Sequence, residues 1–147
     1  MAIPEFTELG LLPAGLHDCT LDELQRRFDG GFASHRYRLF QRLRSYLRRV
    51  KDCGLVAWVA VDGSFVTTKE APGDIDLVVV LHATHDCAAV LTEEQIQILS
   101  KKWVSRHFEF DMFTAPEDSA ECREWLEFFT QVKGRPDLTK GILKVKP

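Results

Sequence analysis

The chain contains no C-x-x-C pair, and its four cysteines, Cys19, Cys53, Cys87 and Cys122, stand far apart. Zinc ribbons, zinc fingers and dithiol redox sites are built from closely spaced ligand pairs, so none of these is the first reading, and isolated thiols fit a reducing compartment. Nor do the histidines His17, His35, His82, His85 and His107 show metal-pair spacing. The tripeptide His-Asp-Cys occurs at 17–19 and again at 85–87, but the flanking residues share no pattern, which argues against an internal repeat. There is no apolar run near the ~20 residues of a membrane span, and no secretory leader is legible, so the expectation is a soluble, cytoplasmic protein without a membrane partner. An excess of positive charge is also missing. With a net charge of −3, wholesale electrostatic attachment to nucleic acid or anionic membrane is not expected, and any such contact must be local. Finally, no stretch rich in proline, glycine or serine divides the 147 residues, and a 45% hydrophobic content is enough for one core.

What is present reads as alternating helix and strand. Residues 1–19 hold Pro4, Gly10, Pro13 and Gly15 and read as an extended arm anchored by Leu11, Leu12 and Leu16. Thr20 with Glu23 forms a capping box for a short helix that Gly30 and Gly31 end. Ser34 caps a longer amphipathic helix reaching Cys53, with Leu39, Phe40, Leu43, Tyr46, Leu47 and Val50 on its apolar stripe. Its other face carries Arg36, Arg38, Arg42, Arg44, Arg48, Arg49 and Lys51, either a solvated helix face or a surface for RNA, DNA or an acidic protein. The apolar runs 55–61 and 75–81 predict two buried strands. Thr92 caps a helix bearing Ile96, Leu99 and Trp103, a strand is expected over 106–113, and a helix opens at Asp118 or Ser119 and ends at Gly134 to Pro136. A short edge strand over 142–145 closes the chain. The expected architecture is α+β, a small mixed sheet flanked by helices with an N-terminal helical extension. It forms a single domain over 1–147: arm and two helices to 54, a core over 55–113, and a C-terminal helix and tail over 114–147.

Chemistry concentrates between the strands. Asp74 and Asp76 are two apart, so at the start of a strand they project to one face while Ile75 turns into the core. Asp111 lies in the third strand, where Glu109 would share its face if that strand is regular. Such a set suits two divalent ions ~3.5–4 Å apart, one lowering the pKa of an attacking hydroxyl, the other stabilising a leaving pyrophosphate. Mg²⁺ needs only a few carboxylates because substrate phosphates and water complete its shell. Gly63 allows close approach of a phosphate, the Ser64 hydroxyl and following N–H groups can donate to it, and Lys69 is the nearest cation, with Thr67 and Thr68 weaker candidates. Each piece also has an ordinary reading: a turn after a strand, the polar start of a strand, a surface aspartate.

The segment Val59-Ala60-Val61-Asp62-Gly63-Ser64, followed by Asp74-Ile75-Asp76-Leu77-Val78-Val79 and by Phe110-Asp111-Met112, resembles the signature of the DNA polymerase β nucleotidyltransferase superfamily in its minimal branch. Weaker similarity, in residues 12–17 and 140–143, is to an uncharacterised bacterial group of nucleotidyltransferase-like proteins. The resemblance implies the nucleotidyltransferase fold and Mg²⁺-dependent transfer of a nucleoside monophosphate, AMP first among the candidates, from an NTP to a hydroxyl of a protein or of RNA such as a tRNA 3′ end. A role as antitoxin or toxin of a toxin–antitoxin or phage-defence system would follow the same pattern. Asp74, Asp76 and Asp111 would be catalytic and metal-binding, with Gly63, Ser64 and Lys69 on the nucleotide. The loop departs from the family pattern Gly-Ser-x-Ala-Arg-Gly, reading Gly63-Ser64-Phe65-Val66-Thr67-Thr68-Lys69 without the arginine. A non-catalytic nucleotide-sensing or partner-binding module on the same fold is the alternative.

Overall fold

The computed structural model of the chain describes residues 3–84, 86 and 88–147, so the second His-Asp-Cys tripeptide, with His85 and Cys87, lies outside the described residues. Seven strands and five helices follow one another as β1 (Gly15–Cys19), α1 (Leu21–Phe28), α2 (His35–Cys53), β2 (Val56–Asp62), β3 (Asp76–Leu81), α3 (Glu93–Ile98), α4 (Lys101–Phe108), β4 (Asp111–Pro116), α5 (Ala120–Phe129), β5 (Gln131–Val132), β6 (Arg135–Thr139) and β7 (Gly141–Val145), with a 3-10 turn at Ser64–Val66. Five strands form one mixed sheet in the order β1-β7-β2-β3-β4; β5 and β6 form a separate hairpin. The α+β expectation holds at this level.

Strand alternation sorts the apolar residues into two layers. Val59, Val61, Leu77, Val79, Met112, Leu143 and Val145 pack under α1 to α4, together with Leu24, Phe28, Phe40, Tyr46, Ile98 and Val104. Trp58, Ala60, Val78, Val80, Ala115 and Ile142 face the other way, onto Cys122, Trp125, Leu126 and Phe129 of α5. Cys19, Cys53 and Cys122 are buried free thiols, and burial pushes each above the ordinary thiol value. Among the described residues no helix is long and apolar enough to cross a membrane.

The helix starts follow the capping chemistry. Thr20 and Glu23 make the reciprocal capping box, Ser34 accepts from the Tyr37 N–H, and Gly54 ends α2 with φ of 73°. Four expectations are corrected. The N-terminal arm contributes β1, which pairs in parallel with β7. The strand expected at the C-terminal edge is β7, which lies between β1 and β2, because its alternate residues Ile142 and Leu143 have core on both faces. The helix after Thr92 stops at Ile98 and restarts under a second cap, Ser100, so residues 101–108 are helical and the strand expected from 106 begins at Asp111. The last helix ends at Phe129, and the residues up to Pro136 form the β5–β6 hairpin instead.

The basic face of α2 is also reassigned in part. Arg36 is 9% exposed and donates to the carbonyls of Phe28, Phe65, Thr67 and Lys69. A guanidinium has five donors in a fixed fork, and here they gather the loop between β2 and β3 onto the start of α2. Next to it, a ring nitrogen of His35 bonds the Pro72 carbonyl. Arg42 and Arg49 lie 3.7 Å from Glu109 and Glu94, and the half-buried Arg44 donates to Gln41, which leaves Arg38, Arg48 and Lys51 as the exposed cations of that face.

Candidate active site

Strand register brings three aspartates into one row. Asp62 ends β2 and pairs with Asp76 at the start of β3, and Asp76 pairs with Asp111 at the start of β4. Residues paired across adjacent strands lie ~5 Å apart and point the same way. All three share a face with Ala60, Val78 and Phe113, so the row points to the α5 side of the sheet. Asp74 sits just ahead of β3, with Ile75 between it and Asp76 and buried in the opposite core. The shared facing expected for Asp74 and Asp76 is therefore present, although only Asp76 is in the strand.

Gly63 and Ser64 follow Asp62 in a turn locked to Asp74. Gly63 has φ of 94° and ψ of 179°, a conformation open to glycine, and a Cβ there would stand 2.8 Å from the Asp74 carbonyl oxygen. The Phe65 N–H donates to that carbonyl at 3.2 Å. The Ser64 hydroxyl donates to the Asp74 carboxylate and accepts from the Gly73 N–H at 3.0 Å, while the Ser64 N–H reaches Asp74 Oδ1 at 3.2 Å. A 3-10 turn starts at Ser64, but it is one turn long and the N–H groups of Ser64 and Phe65 that open it are engaged with Asp74.

Asp62, Gly63, Ser64, Thr67, Asp74 and Asp76 line one wall of a cleft of about 960 Å³. The facing wall is Phe128 and Phe129 of α5 and the β5–β6 hairpin, including Val132, Lys133, Pro136, Leu138 and Lys140. Lys69 is exposed and does not line this cleft. Asp111 stands at the rim, where its carboxylate meets Lys101 Nζ at 3.2 Å. Glu109 is parted from it by geometry: it caps α4 in the left-handed conformation, φ 61°, and its side chain turns to Arg42. The face-sharing expected for a regular strand over 106–113 is absent because Glu109 is not in a strand.

Electrostatics single out Asp76. Burial, then repulsion from Asp74, Asp62 and Asp111, pushes its carboxyl up to about 7. Asp62 is also raised by burial, with Lys140 opposing the rise. Lys140 Nζ lies 3.1 Å from Asp62 Oδ2, and Asp62 Oδ1 is buried without a hydrogen-bond partner. Sequence reasoning passed over this pair: Asp62 stands in the motif, but nothing local shows that it meets Lys140 and stands beside Asp76.

Among the described residues no group of three or more His, Cys, Asp or Glu side chains is arranged as a metal cage. Mg²⁺ is commonly held by one or two carboxylates plus substrate phosphates and water, and the donor set fits that mode. Asp74 and Asp76 are oxygen donors side by side in the cleft, Asp111 is next in register, and Asp76 is short of positive charge. No curated protein and no solved structure matches the chain. Over residues 4–146, nearly its whole length and the entire cleft, the chain matches a family of unknown function (DUF6932), and it belongs to that family.

Proposed function

We propose that the protein is an Mg²⁺-dependent nucleotidyltransferase that moves a nucleoside monophosphate, AMP in the first instance, from an NTP to a hydroxyl of a partner protein or RNA. The observation that carries this reading is the carboxylate row, with Asp76 held between Asp62 and Asp111 and beside Asp74, at the mouth of a nucleotide-sized cleft. Mutual repulsion among these groups is costly without a cation or proton between them. When bound, Mg²⁺ would neutralise that charge and polarise the phosphate to be transferred.

In this reading Asp74 and Asp76 would hold the metal, through which the substrate phosphates would be bound, and Asp111 would orient the acceptor hydroxyl and accept its proton. Gly63 would let the turn lie close to the phosphates. Ser64, whose hydroxyl donates to Asp74, would be the donor nearest a phosphate oxygen on that turn. The rim position of Asp111 leaves it accessible to a macromolecular acceptor. Arg38, Arg48 and Lys51 on α2 and Lys102 and Arg106 on α4 give an anionic partner, RNA or an acidic protein, cations to meet. A toxin–antitoxin or phage-defence role is the cellular setting this chemistry suits.

A second reading, nucleotide sensing without turnover, is favoured by the engagement of Ser64 with Asp74 and by the placement of Lys69 outside the cleft. Labelled NTPs incubated with the protein and a cell extract separate the two. Transfer of label by the wild type and not by Asp74→Ala with Asp76→Ala is the expected result. Equal labelling by both proteins, or by neither, removes the enzyme reading, and calorimetric binding of ATP and Mg²⁺ without pyrophosphate release would then support sensing.

A further inference from the structure

We infer that Lys140, held in place by the buried Asp62, is the cation that grips the phosphate chain of the ligand in this cleft. The inference rests on the nucleotidyltransferase reading only for the identity of that ligand as a nucleoside triphosphate. A triphosphate brings several negative charges into a cleft that already holds three aspartates, so a positive side chain must face it. The Gly63–Ser64 turn has no arginine, its first N–H and hydroxyl donate to Asp74, and Lys69 does not line the cleft. The lysines that do are Lys133, exposed on the β5–β6 hairpin, and Lys140.

Lys140 is the better placed of the two because its backbone and its head are both fixed. Its N–H donates to the Thr130 carbonyl at 2.8 Å, and the next residue, Gly141, donates to the Leu12 carbonyl at 2.9 Å. A Cβ at Gly141 would strike the Pro13 carbonyl, so the chain turns out of the hairpin into β7 along one path. Lys140 leaves that turn on the face of Ile142, the same face as the aspartate row. The Asp62 side chain is 4% exposed and takes one of the three donors of the ammonium, while the Lys140 side chain, 18% exposed, keeps its remaining donors toward the cleft. Asp62 thus acts as a positioning residue. An aspartate that served only as a metal ligand would not need burial beneath a lysine.

The competing role for Lys140 is neutralisation of Asp62 and nothing more. Removing one partner of a buried ion pair strands the other charge, whereas removing both together is tolerated, so the informative protein is Asp62→Asn combined with Lys140→Met. Should that pair misfold, Asp62→Asn with Lys140→Gln serves instead, and Lys140→Arg provides rescue. Inorganic tripolyphosphate, and separately ATP with Mg²⁺, are titrated calorimetrically into folded wild type and variants. Binding of both probes is expected to weaken roughly 10- to 100-fold in the double variant, the loss of one charge-assisted phosphate contact. Lys140→Arg should retain most of the affinity, and Arg26→Ala, a charge change on α1 away from the cleft, should leave it intact. A folded double variant that binds both probes like the wild type overturns the role of Lys140 while leaving the nucleotidyltransferase reading in place. Lys140-dependent binding of tripolyphosphate with no preference for nucleotide over it overturns the nucleotide reading and leaves Lys140 standing. Failure of the wild type to bind either probe overturns both.

Discussion

Asp76 shows how one side chain couples stability to pH. In the unfolded chain it titrates near 3.8, and in the fold burial and three neighbouring carboxylates raise it to about 7. Between those values the folded state binds a proton that the unfolded state does not, so each rise in pH favours unfolding, and the penalty levels off above about 7. Metal-free protein should therefore lose melting temperature as pH rises from 4 to 7. Asp76→Asn should flatten that slope and melt higher than wild type at pH 8, while label transfer from NTP disappears. Thermal melts across pH in a chelating buffer measure the first effect, and a slope unchanged by the substitution would contradict it. Gly63 carries a different kind of strain: its φ of 94° and the 2.8 Å approach of a built Cβ to the Asp74 carbonyl leave an alanine no room. Gly63→Ala is expected to cost on the order of 1–3 kcal/mol, read as a lower urea midpoint at unchanged slope, and to impair nucleotide binding by displacing Asp74. Asp74, Asp76 and the Gly63–Ser64 turn were legible because strand alternation and glycine stereochemistry act over a few residues. Asp62 was not, since only the register of β2 against β3 reveals that the charge ending an apolar strand stands beside Asp76.

Elements whose ends carry their own chemistry were read correctly, and those whose ends depend on packing were not. The caps at Thr20, Ser34 and Thr92 announce α1, α2 and α3 locally. The break between α3 and α4 is quieter: Ser100 is an ordinary cap, and the left-handed Glu109 that ends α4 occupies a position where a glycine would have been the signal. Because that stop was invisible, Phe108 and Phe110 looked like one alternating strand, whereas Phe108 ends a helix and Phe110 leads into β4, both against Tyr46. Helix α2 was placed correctly, but its first arginine was grouped with the exposed basic face, whereas it is buried. Arg36 ties α2 to the loop that carries Gly63 and Asp74, so its loss should reach the candidate site through the loop. Arg36→Met takes the guanidinium from the carbonyls of Phe28, Phe65, Thr67 and Lys69, and at about 1–3 kcal/mol for each buried acceptor left unpaired a destabilisation of at least about 3 kcal/mol is expected. Arg36→Lys should recover little, because one ammonium cannot span acceptors spread from Phe28 to Lys69. Urea unfolding gives the energy, and limited proteolysis should show new cleavage over residues 67–73; a lysine variant as stable as wild type would refute the bridging role.

Both ends of the chain enter one sheet, and this was beyond the reach of local pattern. Residues 142–145 read as a small edge strand because four apolar or basic residues near a terminus carry no mark of what will flank them. The long-range pairing places β7 inside the sheet, antiparallel to β2 on one side and parallel to β1 on the other. Three consequences meet there. Ile142, Leu143 and Val145 are at most 1% exposed, each contributing about 1.5–3 kcal/mol through burial. β1 has β7 as its partner in the sheet, so without β7 the N-terminal segment is released as well. Lys140, which neutralises Asp62, precedes β7 directly. Ending the chain after Thr139 therefore removes more stabilisation than the ~5–15 kcal/mol margin of an ordinary domain, and the product should show no cooperative thermal transition by circular dichroism. Ending it after Val145 removes only Lys146 and Pro147, which lie beyond β7, and should leave the melting temperature within a few degrees of the full chain. An edge strand would have given the opposite pattern for the first truncation, a folded protein with a modest loss of stability, so the pair of melts decides between the two placements of β7 and tests whether the aspartate row and the two termini form one cooperative unit.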